Sequence, residues 1–253
     1  MSTTIYTQAK KIKNKLGKRF KFRNIACPRI VEKEEQKFYI SYLSEGMTAF
    51  DVGANIGEIS LLFSRFVGLS GQVHSFEASS QTFQKLSTVC SIAHRSQITL
   101  THAAVSNQEG TLALNVYDES HSGWNTIADR PLEAYGIDVK PVKRETVPAI
   151  TLDSYCREKN ISCIDLLKID VEGAEYQVML GAKELFKDQK IKCCVFEFGA
   201  TTFDMGNIPE QIETFLRSYG YGIKNVVKNN PNFPGGQSAK TACFSLHVAV
   251  PLK

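Results

Sequence analysis

The chain has 253 residues, of which 43% are hydrophobic and 22% charged, and its formal net charge is +4. These values are ordinary for a globular protein, and the length suits one large α/β domain better than two small ones. No stretch approaches the roughly 18 apolar residues of a membrane span, and the first residues lack the apolar core of a secretion signal. A cytoplasmic location is therefore expected.

The cysteines do not predict a disulfide framework or a metal site. There are seven of them, an odd number. Cys193 and Cys194 are adjacent in an apolar run and are interpreted as small core residues. No CxxC spacing typical of a metal site occurs.

Positive charge is concentrated at the N-terminus. Residues 1–31 contain nine Lys or Arg and no acid, so removing these nine charges from the formal +4 leaves −5 for residues 32–253. Residues 1–45 are predicted to form a basic arm and a lead-in helix. The arm is either a solvated leader or a contact for an anionic substrate, lipid headgroups or a partner. Residues 46–253 show no basic face interleaved with aromatics, so nucleic acid is not an expected partner.

From residue 46 onward, predicted strands alternate with predicted helices. Short apolar runs predict strands at residues 48–52, 72–76, 98–105, 110–117, 164–169, 192–196 and 241–250. Apolar residues at helical spacing predict helices after residues 57, 79, 151, 170 and 208. This alternation predicts a mostly parallel sheet with helices on both faces. The polar stretch 118–146 is too long for a plain connection and is predicted to be an insertion or lid over the substrate site.

Four acids stand at the ends of predicted strands. They are Asp51, Glu77, Asp170 and Glu197. Ligands of such sheets bind outside the carboxyl ends of the strands. Any one of these acids can be a cap or a packed core residue, but together they predict a ligand site at that edge.

The glycine-rich stretch FDVGANIG, residues 50–57, follows the first strand. Its GxxxG spacing, followed by Glu58, matches neither a phosphate-binding loop nor a GxGxxG dinucleotide loop. A carboxylate at Asp51 would repel a pyrophosphate but suits a cofactor with an ammonium and a sulfonium, as in S-adenosylmethionine. Glu77 is placed to accept hydrogen bonds from both ribose hydroxyls. Since NAD enzymes share that feature, an NAD-dependent oxidoreductase is the alternative.

Several segments resemble the FkbM family of S-adenosylmethionine-dependent methyltransferases. They are FDVGANIGEIS, VHSFEAS, AAVSNQEGTLAL, ITLDSYC and LLKIDVEGAE, between residues 50 and 198. The resemblance implies a Rossmann-like class I fold, with a mostly parallel seven-stranded sheet whose last strand is antiparallel. It also implies methyl transfer to a hydroxyl of a sugar, glycan or natural product. Residues 1–45 and 118–146 lie outside it and are expected to select this small-molecule or glycan acceptor.

The resemblance also implies a set of cofactor-binding residues. The methionine end of the cofactor would be bound by Asp51, Gly53, Ala54, Asn55 and Gly57, and its ribose by Glu77 and Ala78. The adenine would lie at Ala103 and Ala104, and the methyl group near Asp170. The acid that many methyltransferases use for the adenine amino group is replaced by the sequence His102–Ala103–Ala104.

The acceptor hydroxyl must lose a proton, to a base or with the help of a metal. In one alternative, Asp170 and Glu197 share Mg²⁺, as carboxylates do in catechol O-methyltransferase-type relatives. In the other, no metal takes part: Asp170 contacts the cofactor or substrate, and Glu197 acts as the base. A structural Glu197 is the third alternative. His121 is a further catalytic candidate, and the nearby Trp124 either stacks on a sugar ring or anchors the insertion.

Two other classes of function are considered. A methyltransferase-like protein that binds cofactor or a partner without turnover stays open. The sequence DVEG after the strand at 164–169 differs from the D/N-P-P-Y/F motif of nucleic-acid amino-methyltransferases, which argues against that class.

Overall fold

The computed structural model describes residues 28–93, 95–226 and 244–252. The strands in this part of the chain are β1 (Thr48–Val52), β2 (Gln72–Glu77), β3 (Ile98–His102), β4 (Ala104–Val105), β5 (Gly110–Val116), β6 (Lys143–Ile150), β7 (Leu166–Ile169), β8 (Cys194–Phe198), β9 (Tyr221–Asn225) and β10 (Ser245–Pro251). The α-helices are α1 (Pro28–Tyr42), α2 (Glu58–Val67), α3 (Ser80–Ile92), α4 (Leu152–Glu158), α5 (Glu175–Leu180), α6 (Lys183–Lys187), α7 (Ala200–Asp204) and α8 (Pro209–Ser218). Two 3₁₀ helices, Glu119–Trp124 and Leu132–Tyr135, lie in the insertion.

Seven strands form the main sheet, in the order β3-β2-β1-β7-β8-β10-β9. β10 is antiparallel to both β8 and β9, and the pairs among the first five strands are parallel. The predicted Rossmann-like α/β fold is therefore confirmed. Strand order reverses between β1 and β7, and at such a point the carboxyl ends of the strands leave a crevice for a ligand.

Each face of the main sheet has its own apolar core. Phe50 and Val52 of β1 belong to one cluster, and Ala49 belongs to the other. α1 packs on the second face, where the fully buried Tyr39 meets Phe63 edge to face with 4.9 Å between ring centroids. The lead-in helix is thus part of the core, whereas the basic segment 1–27 lies outside the described residues.

A second, three-stranded sheet was not predicted. Its order is β4-β6-β5, with β4 parallel and β5 antiparallel to β6. β6 begins inside the stretch 118–146, and its sequence KRETVPAI, with three charges and a proline, lacks the apolar run of a buried strand. The predicted strand 98–105 is divided at Ala103, because the chain leaves the main sheet there and joins the second one. The edge strand β9 was also missed.

The helix predicted after residue 170 is divided into α5 and α6. The break falls at Gly181, where an added Cβ would lie 1.9 Å from the backbone oxygen of Ser106. This close approach to the loop after β4 explains why glycine stands at this position. Residues 241–243 of the predicted last strand lie outside the described residues.

The five cysteines in the described ranges are all free. Within the same ranges, the helices are too short or too polar for any of them to cross a membrane.

Candidate functional site

A pocket opens at the carboxyl ends of β1, β2 and β7, at the point where the strand order reverses. Seven of the predicted cofactor residues line it: Gly53, Asn55, Glu77, Ala78, Ala103, Ala104 and Asp170. Asp51, Ala54 and Gly57 are buried behind its wall. The fold therefore brings together residues that are up to 117 positions apart in the sequence.

The loop after β1 is pressed against the end of β7. Gly53 has φ 79°, and a Cβ added there would lie 1.8 Å from the backbone oxygen of Asp170. The N–H groups of Gly53 and Ala54 both donate to the carbonyl of Phe76, at 3.0 and 2.9 Å. Only glycine satisfies both the positive φ and the close approach.

This geometry predicts the effect of Gly53→Ala. Gly206 has a similar φ of 74° but no heavy atom within 4 Å of an added Cβ, so it provides a matched control. Gly206→Ala should cost about 1–2 kcal/mol of unfolding free energy, for the backbone conformation alone. Gly53→Ala should cost roughly 1–3 kcal/mol more, because β7 must move. Equal losses in urea unfolding would show that the approach to Asp170 is not tight.

Glu77 is the acid at the end of β2, and its side chain is held by backbone groups. Its Oε2 accepts from the N–H of Asn55 at 3.0 Å, and its Oε1 accepts from the N–H of Ser79 at 2.9 Å. Burial raises the pKa of Glu77 to about 7, although these two hydrogen bonds lower it. The carboxylate faces the pocket with lone pairs left for a ligand's hydroxyl groups.

Asp51 is not among the residues that line the pocket, and it pairs with a buried lysine. Asp51 is fully buried, accepts from Ser60 Oγ at 2.6 Å, and lies 3.0 Å from Nζ of Lys168. That ammonium also donates to the carbonyl of Gly53 at 3.1 Å and lies 3.6 Å from Asp170 Oδ2. Burial lowers the pKa of Lys168, but the neighbouring carboxylates outweigh burial and raise the pKa above its usual value. Lys168 thus joins β1, the glycine loop and β7, a role that its place in an apolar run did not indicate.

Asp170 and Glu197 follow the paired residues Ile169 and Phe196, so they stand side by side on neighbouring strands. The Asp170 side chain is 41% exposed and lines the pocket, whereas Glu197 is not among the lining residues. The described residues contain no group of three His, Cys, Asp or Glu side chains arranged for a metal ion. The buried ammonium of Lys168 would also repel a divalent cation at Asp170. These residues do not fit Mg²⁺, and the arrangement favours the metal-free alternative.

The side chain of Glu175 stabilises the loop after Asp170 through hydrogen bonds. Its Oε1 accepts from the N–H groups of Val171 and Gly173, both at 3.1 Å. Burial raises the pKa of Glu175 to about 7. Glu172 has φ 54°, which is uncommon for a residue with a side chain. A left-handed residue beside a predicted catalytic acid indicates a backbone fixed by its surroundings.

Part of the insertion forms a wall of the pocket. Residues 122, 123 and 125–127 contribute to its wall. Thr126 Oγ1 donates to the carbonyl of Glu172 at 2.8 Å, and the side-chain oxygen of Asn125 accepts from the N–H of Tyr117 at 2.9 Å. Part of the stretch 118–146 thus lies at the pocket, and its role as a lid over a substrate site stays a prediction. The individual lining residues carry no motif and were missed.

His121 and Trp124 lie next to this wall without lining the pocket. His121 Nδ1 is 2.9 Å from Asp118 Oδ1, and the ring centroids of His121 and Trp124 are 4.9 Å apart. The Arg130 guanidinium lies 5.6 Å from the centre of the Trp124 ring. These contacts favour the anchoring interpretation of Trp124 over stacking on a sugar.

The family follows from a match that spans the fold and the pocket just described. A family model described as the methyltransferase FkbM domain matches residues 51–223. The match covers more than half of the chain. The protein belongs to the FkbM methyltransferase family. The resemblance seen between residues 50 and 198 is therefore confirmed.

The chain is similar to a named methyltransferase and to solved methyltransferase structures. The chain is 26% identical over 220 residues to the 31-O-demethyl-FK506 methyltransferase FkbM of Streptomyces tacrolimicus, covering 79% of this chain and 81% of that protein. The crystal structure of a methyltransferase FkbM from Methylobacillus flagellatus KT has 14% identity and a TM-score of 0.48, covering 81% of this chain and 43% of that chain. An rRNA methylase from Streptococcus thermophilus has 11% identity and a TM-score of 0.46, covering 88% of this chain and 97% of that chain. At these TM-scores neither structural similarity bears on cofactor or acceptor.

Proposed function

We propose that this FkbM methyltransferase uses S-adenosylmethionine and methylates a hydroxyl group of a sugar, a glycan or a natural product. The observation that carries the proposal is the charge of the pocket. Its charged lining residues are Glu77, Asp170 and Glu172, and no Lys or Arg lines it within the described ranges. Such a lining suits a cofactor with a sulfonium and an ammonium group and repels a pyrophosphate. The same observation disfavours an NAD-dependent oxidoreductase.

The pocket residues divide by the part of the cofactor they suit. Gly53 and Asn55 would hold the methionine end, and Glu77 would accept from the ribose hydroxyls. The apolar residues Ala103, Ala104 and Leu114 would flank the adenine. When bound, the cofactor supplies a methyl group activated by its positive sulfur. Asp51 would act indirectly, by holding Lys168 beneath the glycine loop.

The acceptor hydroxyl is proposed to lose its proton to a carboxylate at the ends of β7 and β8. Asp170 stands at the pocket, where it would orient the acceptor, and Glu197 beside it would take the proton. A positioned base typically accelerates such a reaction about 10²–10⁴-fold. The Streptomyces relative is named a 31-O-demethyl-FK506 methyltransferase, and an O-demethyl compound carries a free hydroxyl, which supports this acceptor chemistry.

Calorimetry with S-adenosylhomocysteine and with NADH tests the cofactor. We expect S-adenosylhomocysteine to bind at micromolar concentration, on the order of −7 to −8 kcal/mol, and NADH not to bind. Binding of NADH with no binding of S-adenosylhomocysteine would overturn the proposal.

The same titration should depend on pH. Glu77 must be ionised to accept from two hydroxyl groups, and its pKa is about 7. Affinity should therefore be full above that pH and fall as the pH drops through it, with Kd rising about tenfold from pH 8 to pH 6. Glu77→Gln should bind more weakly and with no such dependence. A wild-type Kd that is flat over this range, together with an unchanged Kd for Glu77→Gln, would show that Glu77 does not bind the cofactor.

A further inference from the structure

Arg130, in the insertion, lies between two acids from other parts of the chain. Its Nη1 is 3.6 Å from Glu172 Oε2 and its Nε is 3.5 Å from Asp204 Oδ2. The side chain is only 11% exposed, and those of Glu172 and Asp204 are 17% and 2% exposed. Arg130 therefore connects the insertion to the loop after β7 and to α7 at once.

The Glu172 end of this contact is part of the pocket. Glu172 lines the pocket two residues after Asp170 and has φ 54°. The insertion contacts it twice, through Arg130 at the carboxylate and through Thr126 at the carbonyl. Gly173 follows with φ 112°, and a Cβ there would lie 2.3 Å from the backbone oxygen of Thr201. The loop is thus confined between the insertion and α7.

The energetic role of Arg130 is ionic. Its buried Nε and Nη1 make no hydrogen bond to the described residues, so charge rather than hydrogen-bond geometry defines the contact. Without the guanidinium, two little-exposed carboxylates would lack this counter-charge, and a buried charge left in this way is costly. The loop after β7 would relieve that cost by moving, which would displace Glu172 and Asp170 from the pocket wall.

We propose that Arg130 is a positioning residue that fixes the insertion and the loop of residues 170–173 in one relative arrangement. It acts through Glu172 on the shape of the cofactor pocket and does not contact the cofactor itself. The inference rests on the proposed function, since it takes the pocket as the cofactor site. Arg144 lies in the same insertion but pairs with Asp129 at the surface, with side chains 59% and 80% exposed, and so provides a matched control.

The test compares affinity for S-adenosylhomocysteine, measured by calorimetry, with the unfolding temperature measured without ligand. Arg130→Met should weaken binding about tenfold or more, equivalent to at least ~1.4 kcal/mol, and Arg144→Met should leave Kd unchanged. Arg130→Lys keeps the charge but lacks the planar guanidinium that reaches two carboxylates. Its Kd should therefore lie between those of the wild type and Arg130→Met. When Arg130→Met is combined with Glu172→Gln, the loss of binding free energy should be smaller than the sum of the losses in the two single variants.

Two results would overturn the inference. One is a lower unfolding temperature with an unchanged Kd, which would make Arg130 purely structural. The other is strict additivity with Glu172→Gln, which would show that Glu172 does not transmit the effect. If Arg130→Met does not fold, Arg130→Lys gives the same comparison. Failure of the wild-type protein to bind would instead overturn the proposed function, so the two failures are distinguishable.

Discussion

Replacing Lys168 with methionine is expected to lower the free energy of unfolding by roughly 3–5 kcal/mol. Methionine has a similar length but no charge. It would leave Asp51, which is fully buried, with Ser60 as its remaining partner, and it would remove the donor to the Gly53 carbonyl. Because the glycine loop and Asp170 both depend on this ammonium, cofactor binding should be lost together with stability.

Thermal unfolding provides the measurement. For a chain of this size the loss corresponds to a decrease of roughly 6–20 °C in the unfolding temperature. Lys187→Met is the control, since Lys187 pairs with Glu184 at the surface with both side chains 58% exposed, and it should cost less than about 1 kcal/mol. Adding Asp51→Asn to Lys168→Met should recover part of the stability, because it removes the uncompensated charge. Equal losses for Lys168→Met and Lys187→Met would contradict the buried ion pair.

The variants Glu197→Gln and Asp170→Asn are expected to lower kcat by about 10²–10⁴. They should differ in cofactor affinity. Asp170 lines the pocket, so Asp170→Asn should also raise the Kd for S-adenosylhomocysteine, whereas Glu197 lies outside the lining and its variant should bind nearly as well as wild type. Turnover is measured with S-adenosylmethionine and an acceptor that the wild-type enzyme converts, followed by the mass of one added methyl group. Glu109→Gln, an exposed surface change, serves as the control.

Chelation with EDTA separates the two ways in which Asp170 and Glu197 can act. Lys168 beside Asp170 disfavours a divalent cation, so turnover should survive EDTA. Loss of turnover with EDTA and recovery with Mg²⁺ would restore the metal alternative. If neither EDTA nor Glu197→Gln changes the rate, the proton leaves through another group, with His121 as the next candidate. Cofactor binding without turnover of any candidate acceptor would favour a non-catalytic binding protein.

Much of the fold and of the pocket at the strand ends was predictable from local sequence. Apolar runs that alternate with apolar residues at helical spacing predict a parallel sheet, because each pattern indicates which face of a strand or helix is buried. The acids at the ends of β1, β2, β7 and β8 were found because parallel strands place their carboxyl ends at one edge. The motifs FDVGANIG and KIDVEGAE then identified the family. Each of these signals lies within a short segment of the chain, so it can be recognised without knowing any tertiary contact.

The contacts that shape the site were decided only by the tertiary structure. Lys168 occupies an apolar strand, where its partner cannot be inferred, because Asp51 lies more than 100 positions away in the sequence. Its ammonium pairs with Asp51, and that predicted ligand residue is buried and is not among the residues lining the pocket. Likewise, nothing in the polar stretch 118–146 indicated that Thr126 and Arg130 would reach Glu172. A buried charge without its counter-charge is strongly destabilising, and three-dimensional packing alone determines which counter-charge is near.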